Sequence, residues 1–215
     1  MKAIVVGATG ATGRDVLNLL LMDDRYDEII VLARRSLGVS HSKLTTHVVN
    51  FDRINEWGHL IDGDVLYSCL GTTRKAAGSK EAQWIVDYSY QFQIAEVARQ
   101  HGVGHYILVS SVGAAPDSKF FYLRMKGQLE EAVKQLHFTK TTIVQPPSLI
   151  RKVNKKWFGE GISVKILEKL NEFGLFPHLK PMPTEVVAKA MVKASIIQGP
   201  GVVIWGPDEL WRAGQ

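Results

Sequence analysis

Val5-Val6-Gly7-Ala8-Thr9-Gly10-Ala11-Thr12-Gly13 is the stretch that decides the fold. Before it, residues 2–6 are a short apolar run rich in β-branched side chains. After it, residues 14–22 place Val16, Leu17, Leu20 and Leu21 on one helical face. Gly7, Gly10 and Gly13 therefore fall in a strand-to-helix turn, where glycines permit backbone angles and close approaches that a Cβ forbids. A helix start presents open N–H groups and a partial positive charge, which suits a pyrophosphate. The spacing is G-x-x-G-x-x-G, one residue longer in its first half than the dinucleotide fingerprint G-x-G-x-x-G. Gly7 is expected to make the tight turn, Gly10 to let phosphates approach and Gly13 to pack the helix on the strand, with Thr9 and Thr12 adding hydroxyls.

Outward from this turn, strand and helix signals alternate. Strand runs fall at 3–6, 28–33, 46–51, 64–70, 105–110, 141–144 and 201–205, and helical runs at 14–22, 55–60, 81–101, 121–136, 162–173 and 184–197. Residues 74–80 read as a polar connection and 177–183 as a loop. This alternation predicts a doubly wound parallel sheet covered by helices on both faces, an α/β fold of Rossmann type. One domain over residues 1–215 is expected, with 1–150 the nucleotide-binding core and 151–215 the substrate side together with a last helix and strand.

Composition bounds the function. The chain has 215 residues, 46% of them hydrophobic, enough for a sizeable core. Cys69 is the single cysteine, so a disulfide framework within the chain is excluded and a reducing, cytoplasmic setting is expected. The first strand is too short for a signal-peptide core, and no apolar run reaches membrane-spanning length. The formal charge of +5 fits an anionic small ligand as well as it fits a nucleic acid, and reads most simply as an evenly solvated basic surface. The seven histidines show neither zinc-finger spacing nor H-E-x-x-H, so no metal site is expected. No recognition fold for nucleic acid is visible.

In a sheet of this kind the adenosine ribose is read at the end of the second strand. An acid there accepts from a 2′-hydroxyl, whereas a basic residue favours a 2′-phosphate. The second strand runs into Arg34 and Arg35 with no carboxylate, and guanidinium groups bind phosphate with paired hydrogen bonds. NADP(H) is therefore expected over NAD. Asp52, after the third strand, is placed to accept from the exocyclic amine of adenine. Leu70 and Gly71 end the fourth strand, where ligands of such sheets lie.

The catalytic candidates fall in residues 109–126. Ser110 and Ser111 close the fifth strand, and Tyr122 and Lys126 follow four apart on one helical face. A free tyrosine, with a pKa of about 10, is a poor acid–base group at neutral pH. A nearby lysine is expected to lower it, so that the phenol can exchange a proton with a carbonyl or alcohol oxygen that a serine holds.

The words G-A-T-G-A-T-G, L-A-R-R-S, C-L-G-T-T-R, S-S-V-G-A and Y-L-R-M-K-G, spread over residues 7 to about 150, resemble the short-chain dehydrogenase/reductase superfamily. More closely, the chain is similar to the atypical branch that includes the Tat-interacting protein and its bacterial relatives. The resemblance implies an NADPH-dependent oxidoreductase transferring hydride to a carbonyl-like small molecule. Tyr122 would be the general acid/base. Lys126 would tune it and hold the nicotinamide ribose, and Ser111 would orient the substrate oxygen, with Ser110 the alternative. Thr9, Gly10, Ala11 and Thr12 would line the pyrophosphate, Arg34 and Arg35 would clasp the 2′-phosphate, Leu70-Gly71 would pass under the adenosine half, and Leu149 would lie near the nicotinamide. Two features depart from the superfamily pattern: Asp87 stands where an asparagine is common, and the interval from Ser111 to Tyr122 is short and contains Pro116. Members of this branch are also described as regulators that bind NADPH, which sets a second function beside the enzymatic one. Trp84, Tyr88, Tyr90 and Phe92 crowd one helix and suggest a homodimer face. The basic run 151–156, with Trp157 and Phe158, reads as an exposed loop or as a segment meeting an anionic substrate group, the cofactor phosphates or a membrane surface.

Overall fold

A computed structural model describes residues 1–150 and 180–215. The helix expected at 162–173 and the basic run at 151–156 lie outside the described residues. The elements in chain order are β1 (Lys2–Val6), α1 (Ala11–Leu21), β2 (Glu28–Ala33), β3 (Leu44–Val48), α2 (Ile54–Trp57), β4 (Val65–Ser68), α3 (Arg74–Ala77) and α4 (Lys80–Trp84). A π-helical turn, Ile85–Ser89, joins α4 to α5 (Tyr90–Gln100). There follow β5 (His105–Val109), α6 (Phe121–Lys134), β6 (Lys140–Val144), β7 (Leu149–Ile150), β8 (Met182–Pro183), α7 (Thr184–Ile196), β9 (Gly201–Trp205) and α8 (Pro207–Gly214).

Seven strands form one sheet in the order β3-β2-β1-β4-β5-β6-β9, every pairing parallel. The chain winds outward from β1 to β3, then returns to β4 on the other side of β1. The crevice where the direction reverses lies at the carboxyl ends of β1 and β4, which is where such sheets bind ligands. The register brings those ends level, since Val6 sits opposite both Leu32 and Ser68, and Ser68 opposite Leu108. The glycine turn and the segments that follow Ala33, Ser68 and Val109 consequently emerge on one edge.

Period-2 alternation divides the strand residues between two cores. Ala3 and Val5 face Val16, Leu17 and Leu20 of α1 and Val187, Ala188 and Met191 of α7. Ile4 and Val6 face Ile94, Ala95 and Ala98 of α5 and Leu129 and Val133 of α6. The central strands β1, β2 and β4 are buried on both faces, which explains their near-continuous apolar sequences. The last helix expected from the sequence, α7, belongs to the first of these cores, whereas the edge strand β9 is mostly exposed and adds only half-buried Trp205.

Several boundaries differ from the sequence expectations. Residues 74–80 are not a plain connection: α3 forms there, capped by the Thr73 hydroxyl, which accepts from Ala76 N at 3.1 Å. The loop expected at 177–183 contains β8, which pairs with β7. A final helix, α8, follows β9. Gly214 packs it so tightly on α7 that a Cβ would stand 2.4 Å from the Val186 carbonyl oxygen.

Candidate functional site

The turn after β1 is built by backbone contact. Gly7 has φ +84°, and a Cβ there would lie 2.4 Å from the carbonyl carbon and oxygen of Cys69. Gly13 is closed in the same way: its Cβ would meet the Gly7 oxygen at 2.3 Å. Gly10 differs. It is exposed, its N–H donates to the Gly7 oxygen at 2.9 Å, and its own Cβ would come within 3.2 Å of that oxygen alone. Gly10 caps α1 without a side-chain hydrogen bond, and the first turn of α1 carries no acid. The open N–H groups of that turn are a ready anion site. Thr9 lines the cleft beside Gly7 and Gly10, Ala11 is half-buried, and Thr12 is buried in the helix base.

The cleft continues between the ends of β2 and β4, past Arg34, Phe51, Leu70, Gly71 and Tyr90. Arg34 contributes to this lining; Arg35 is exposed beside it. Asp52 lies at a 3-10 turn after β3, where Tyr90 Oη donates to Asp52 Oδ1 at 2.5 Å. At Gly71 a Cβ would make only ordinary contact, 3.5 Å from Asp87 Oδ1. Leu149 is half-buried in β7, away from this cleft lining. The cradle at Gly7–Gly13, with its uncapped helix start and a cation at the far end, fits a dinucleotide.

Beyond the glycine turn, Ser111, Tyr122 and Lys126 lie on the segments that follow β5. The short interval from Ser111 to Tyr122 is accommodated by Gly127, on α6. The Ala115–Pro116 backbone presses against it so closely that a Cβ would stand 2.3 Å from the Ala115 carbonyl carbon. Hydrogen bonds from Ala115 N to Leu123 O (3.2 Å) and from Arg124 to Ser118 O (2.7 Å) tie the loop to the same helix. Ser111 is thereby brought to the Tyr122 phenol. Ser110 is turned inward, its hydroxyl donating to buried Glu130, whose carboxylate also accepts from Gln145. That leaves Ser111 as the serine that faces the site.

The expected tuning of Tyr122 by Lys126 is not what the geometry gives. Lys126 is enclosed, and its Nζ donates to the Val109 carbonyl oxygen at 2.7 Å. Burial depresses its pKa, opposed by Asp87, Glu130 and Cys69. The Tyr122 phenol is instead pushed up to about 12, first by desolvation and then by the Asp87 carboxylate, while Ser111 pulls the other way. At neutral pH it is a protonated donor. Cys69 is also pushed up to about 12 by burial, so it is not a thiolate nucleophile.

Asp87, which stands where the superfamily commonly has an asparagine, is buried in a way its sequence position did not show. The π-helical turn swings it under the loop after β4, a known device for placing a functional side chain. It is 2% exposed, and Asp87 Oδ2 accepts from Thr72 N at 2.9 Å. Gln91 donates to the Asp87 carbonyl and accepts from buried Ser68. Burial raises the Asp87 pKa from 3.8 to about 6, offset by Lys126 and by the Thr72 N–H. The folded chain therefore binds this proton more tightly than the unfolded chain. Its stabilisation is complete at low pH and is lost as pH rises through about 6. Asp87→Asn keeps an acceptor for Thr72 and removes the titration. Relative to the unchanged chain, the variant should gain about 2.5 kcal/mol in urea unfolding between pH 4 and pH 8. A pH-independent difference would contradict this.

The aromatic row on α4 and α5 is largely accounted for within the chain. Trp84 stacks on Tyr88 at 4.7 Å, Tyr88 meets Phe92 at 6.1 Å, and Trp84 leans on Phe121. Tyr90 turns away from this row to Phe51 and Asp52. Among the described residues no group of three His, Cys, Asp or Glu side chains could hold a metal ion, and no helix is long and apolar enough to cross a membrane.

Comparison with known proteins agrees with this geometry. A family described as NAD(P)H-binding matches residues 7–194. The mitochondrial protein FMP52 of Meyerozyma guilliermondii is 37% identical over 199 residues, 89% of this chain and 84% of its own. Protein HTATIP2 of Rattus norvegicus is 30% identical over 93% of this chain and 83% of its own. Among solved structures, a short-chain dehydrogenase/reductase superfamily protein from Agrobacterium tumefaciens with bound NAD superposes with TM-score 0.71 at 13% identity, covering 96% of this chain and 77% of the other. MoeE5 in complex with UDP-glucuronic acid and NAD gives TM-score 0.71 at 12% identity, over 95% of this chain and 75% of the other. These two share the fold. With the family match spanning most of the chain, and relatives this similar along most of their length, the chain belongs to the NAD(P)H-binding family and, within it, to the atypical short-chain dehydrogenase/reductase group that includes HTATIP2 and FMP52.

Proposed function

We propose that this protein is an NADPH-dependent reductase acting on a carbonyl-like small molecule. The observation that carries the reading is the Tyr122 phenol with Ser111 beside it, on the segments that follow β5 at the sheet edge where the glycine turn emerges. A bound NADPH would supply hydride to the carbonyl carbon. Tyr122 donates the proton that the carbonyl oxygen takes up. Ser111 holds that oxygen. Lys126, anchored by one donor on the Val109 carbonyl, has two further donors for the nicotinamide ribose. Gly7, Thr9, Gly10, Ala11, Thr12 and Gly13 form the pyrophosphate cradle. Arg34, with Arg35 beside it, takes the 2′-phosphate, Asp52 accepts from the adenine amine, Leu70 and Gly71 pass under the adenosine, and Leu149 bounds the nicotinamide side.

The second reading is a regulator that binds NADPH without turnover. The pairing of Ser111 with Tyr122 favours the enzyme, since a sensor has no use for a proton donor there. Mixing the protein with NADPH and a panel of carbonyl compounds, and following the absorbance of the reduced nicotinamide, separates the two. Oxidation with any compound supports the reductase. Tight binding with no oxidation across the panel supports the regulator. Cofactor choice has its own test. Arg34→Ala should weaken NADPH by roughly tenfold or more, the scale of a charge-assisted phosphate contact, and leave NADH nearly unchanged. Equal losses for both nucleotides would remove the 2′-phosphate assignment.

A further inference from the structure

We propose that Tyr90 is a positioning residue that fixes Asp52 as the acceptor for the 6-amino group of an adenine ring, making the cleft selective for adenine over hypoxanthine dinucleotides. The inference rests on the nucleotide-binding reading above and names what selects the base.

Asp52 is exposed at a turn, where an aspartate would ordinarily rotate freely. Here it is held at both ends. Asn50 Oδ1 accepts from the Asp52 N–H at 3.0 Å, and Tyr90 Oη donates to Asp52 Oδ1 at 2.5 Å. Tyr90 is in turn set by its ring, which lies 5.5 Å from Phe51 at a 34° tilt. Phe51 packs edge-on against Trp57, whose Nε1 donates to the Asn50 carbonyl oxygen at 2.7 Å. The cluster therefore closes on itself around the Asp52 side chain. Phe51 and Tyr90 line the same cleft as Gly7 and Arg34, so the carboxylate that Tyr90 holds lies beside that cleft.

A carboxylate only accepts hydrogen bonds, and Tyr90 occupies one of its oxygens. The other is left for a donor. Adenine offers an amine at position 6; hypoxanthine offers a carbonyl oxygen there, which would face another acceptor. Because the side chain is already ordered, little rotamer freedom is lost when the base docks. The phenol holds this role across the working pH range, since burial and the Asp52 carboxylate push it up to about 12.

The test is calorimetric titration of the full chain with NADPH and with the reduced hypoxanthine analogue of NADPH. The unchanged protein should prefer NADPH by roughly tenfold or more, the worth of one hydrogen bond to a charged group. Asp52→Ala should abolish the preference. Tyr90→Phe keeps the ring against Phe51 and should cut the preference about fivefold, by weakening NADPH while leaving the analogue unchanged. A merely structural Tyr90 would weaken both nucleotides alike, and that result would overturn the proposal. So would equal affinities in the unchanged protein, or a preference that survives Asp52→Ala. In each of those outcomes the unchanged protein still binds NADPH, whereas its failure to bind either nucleotide overturns the nucleotide-binding reading and this inference together.

Discussion

Gly7→Ala is expected to cost the protein most of its stability and all measurable nucleotide binding. Two effects add. At φ +84° a side chain is strained by about 1–2 kcal/mol. The larger effect is steric: the new methyl would stand 2.4 Å from the Cys69 carbonyl carbon and oxygen and 2.7 Å from Leu70 N, all backbone atoms of the central strand's continuation. They cannot swing aside as a side-chain tip could. Either β1 and β4 separate or the turn unwinds, so a loss of about 4 kcal/mol or more is expected, at the diagnostic end of single substitutions. Gly10→Ala is the control. Its methyl meets only the Gly7 oxygen, at 3.2 Å, and otherwise projects into the open cleft. That variant should fold with a loss of about 1 kcal/mol and still bind NADPH poorly, because the methyl occupies phosphate space. Urea unfolding and NADPH titration of the two variants separate the turn's structural function from its binding function. Tight binding by Gly10→Ala would place the phosphates elsewhere.

Tyr122→Phe carries the second large effect. Loss of a positioned proton donor lowers turnover by roughly 10²- to 10⁴-fold. The residue is 40% exposed, and its ring remains after substitution, so the fold and the nucleotide cradle should be unaffected. NADPH affinity should stay within about threefold, because the phenol acts on the substrate oxygen and the glycine turn carries the phosphates. Steady-state rates with any compound the protein reduces, set beside NADPH titrations, give both numbers. Turnover that survives the substitution removes Tyr122 as the acid.

The layout of the sheet was readable because its signals are strong and local. A β-branched run, three glycines and an amphipathic helix occupy residues 2–22, and buried strands such as Glu28–Ala33 are too apolar to lie at a surface. What escaped has specific causes. Four-residue α3 is too short for any periodicity to show. Helix α8 could have been found: Pro207 at its first position and Glu209 two further on are start signals, and Glu209 does accept from Gly206 N at 3.0 Å. The π-helical turn at Ile85–Ser89 has no sequence signature, yet it decides where Asp87 goes. The Tyr122–Lys126 spacing put both residues on one face of α6. It could not show that the lysine amine is drawn to the Val109 carbonyl, because that contact depends on a strand 17 residues earlier in the chain. Gly127 stood in a helical pattern as an unexplained small residue, and its cause is the Ala115 backbone pressed against it.

If the glycine turn holds NADPH with its nicotinamide beside Tyr122, a crystal structure of the protein with NADPH bound will show it. Pyrophosphate oxygens should sit on the N–H groups at the start of α1. The nicotinamide C4 and Tyr122 Oη should both lie within about 3–3.5 Å of one shared substrate position. A nicotinamide lodged away from Tyr122, or phosphates bound off the α1 terminus, would contradict it.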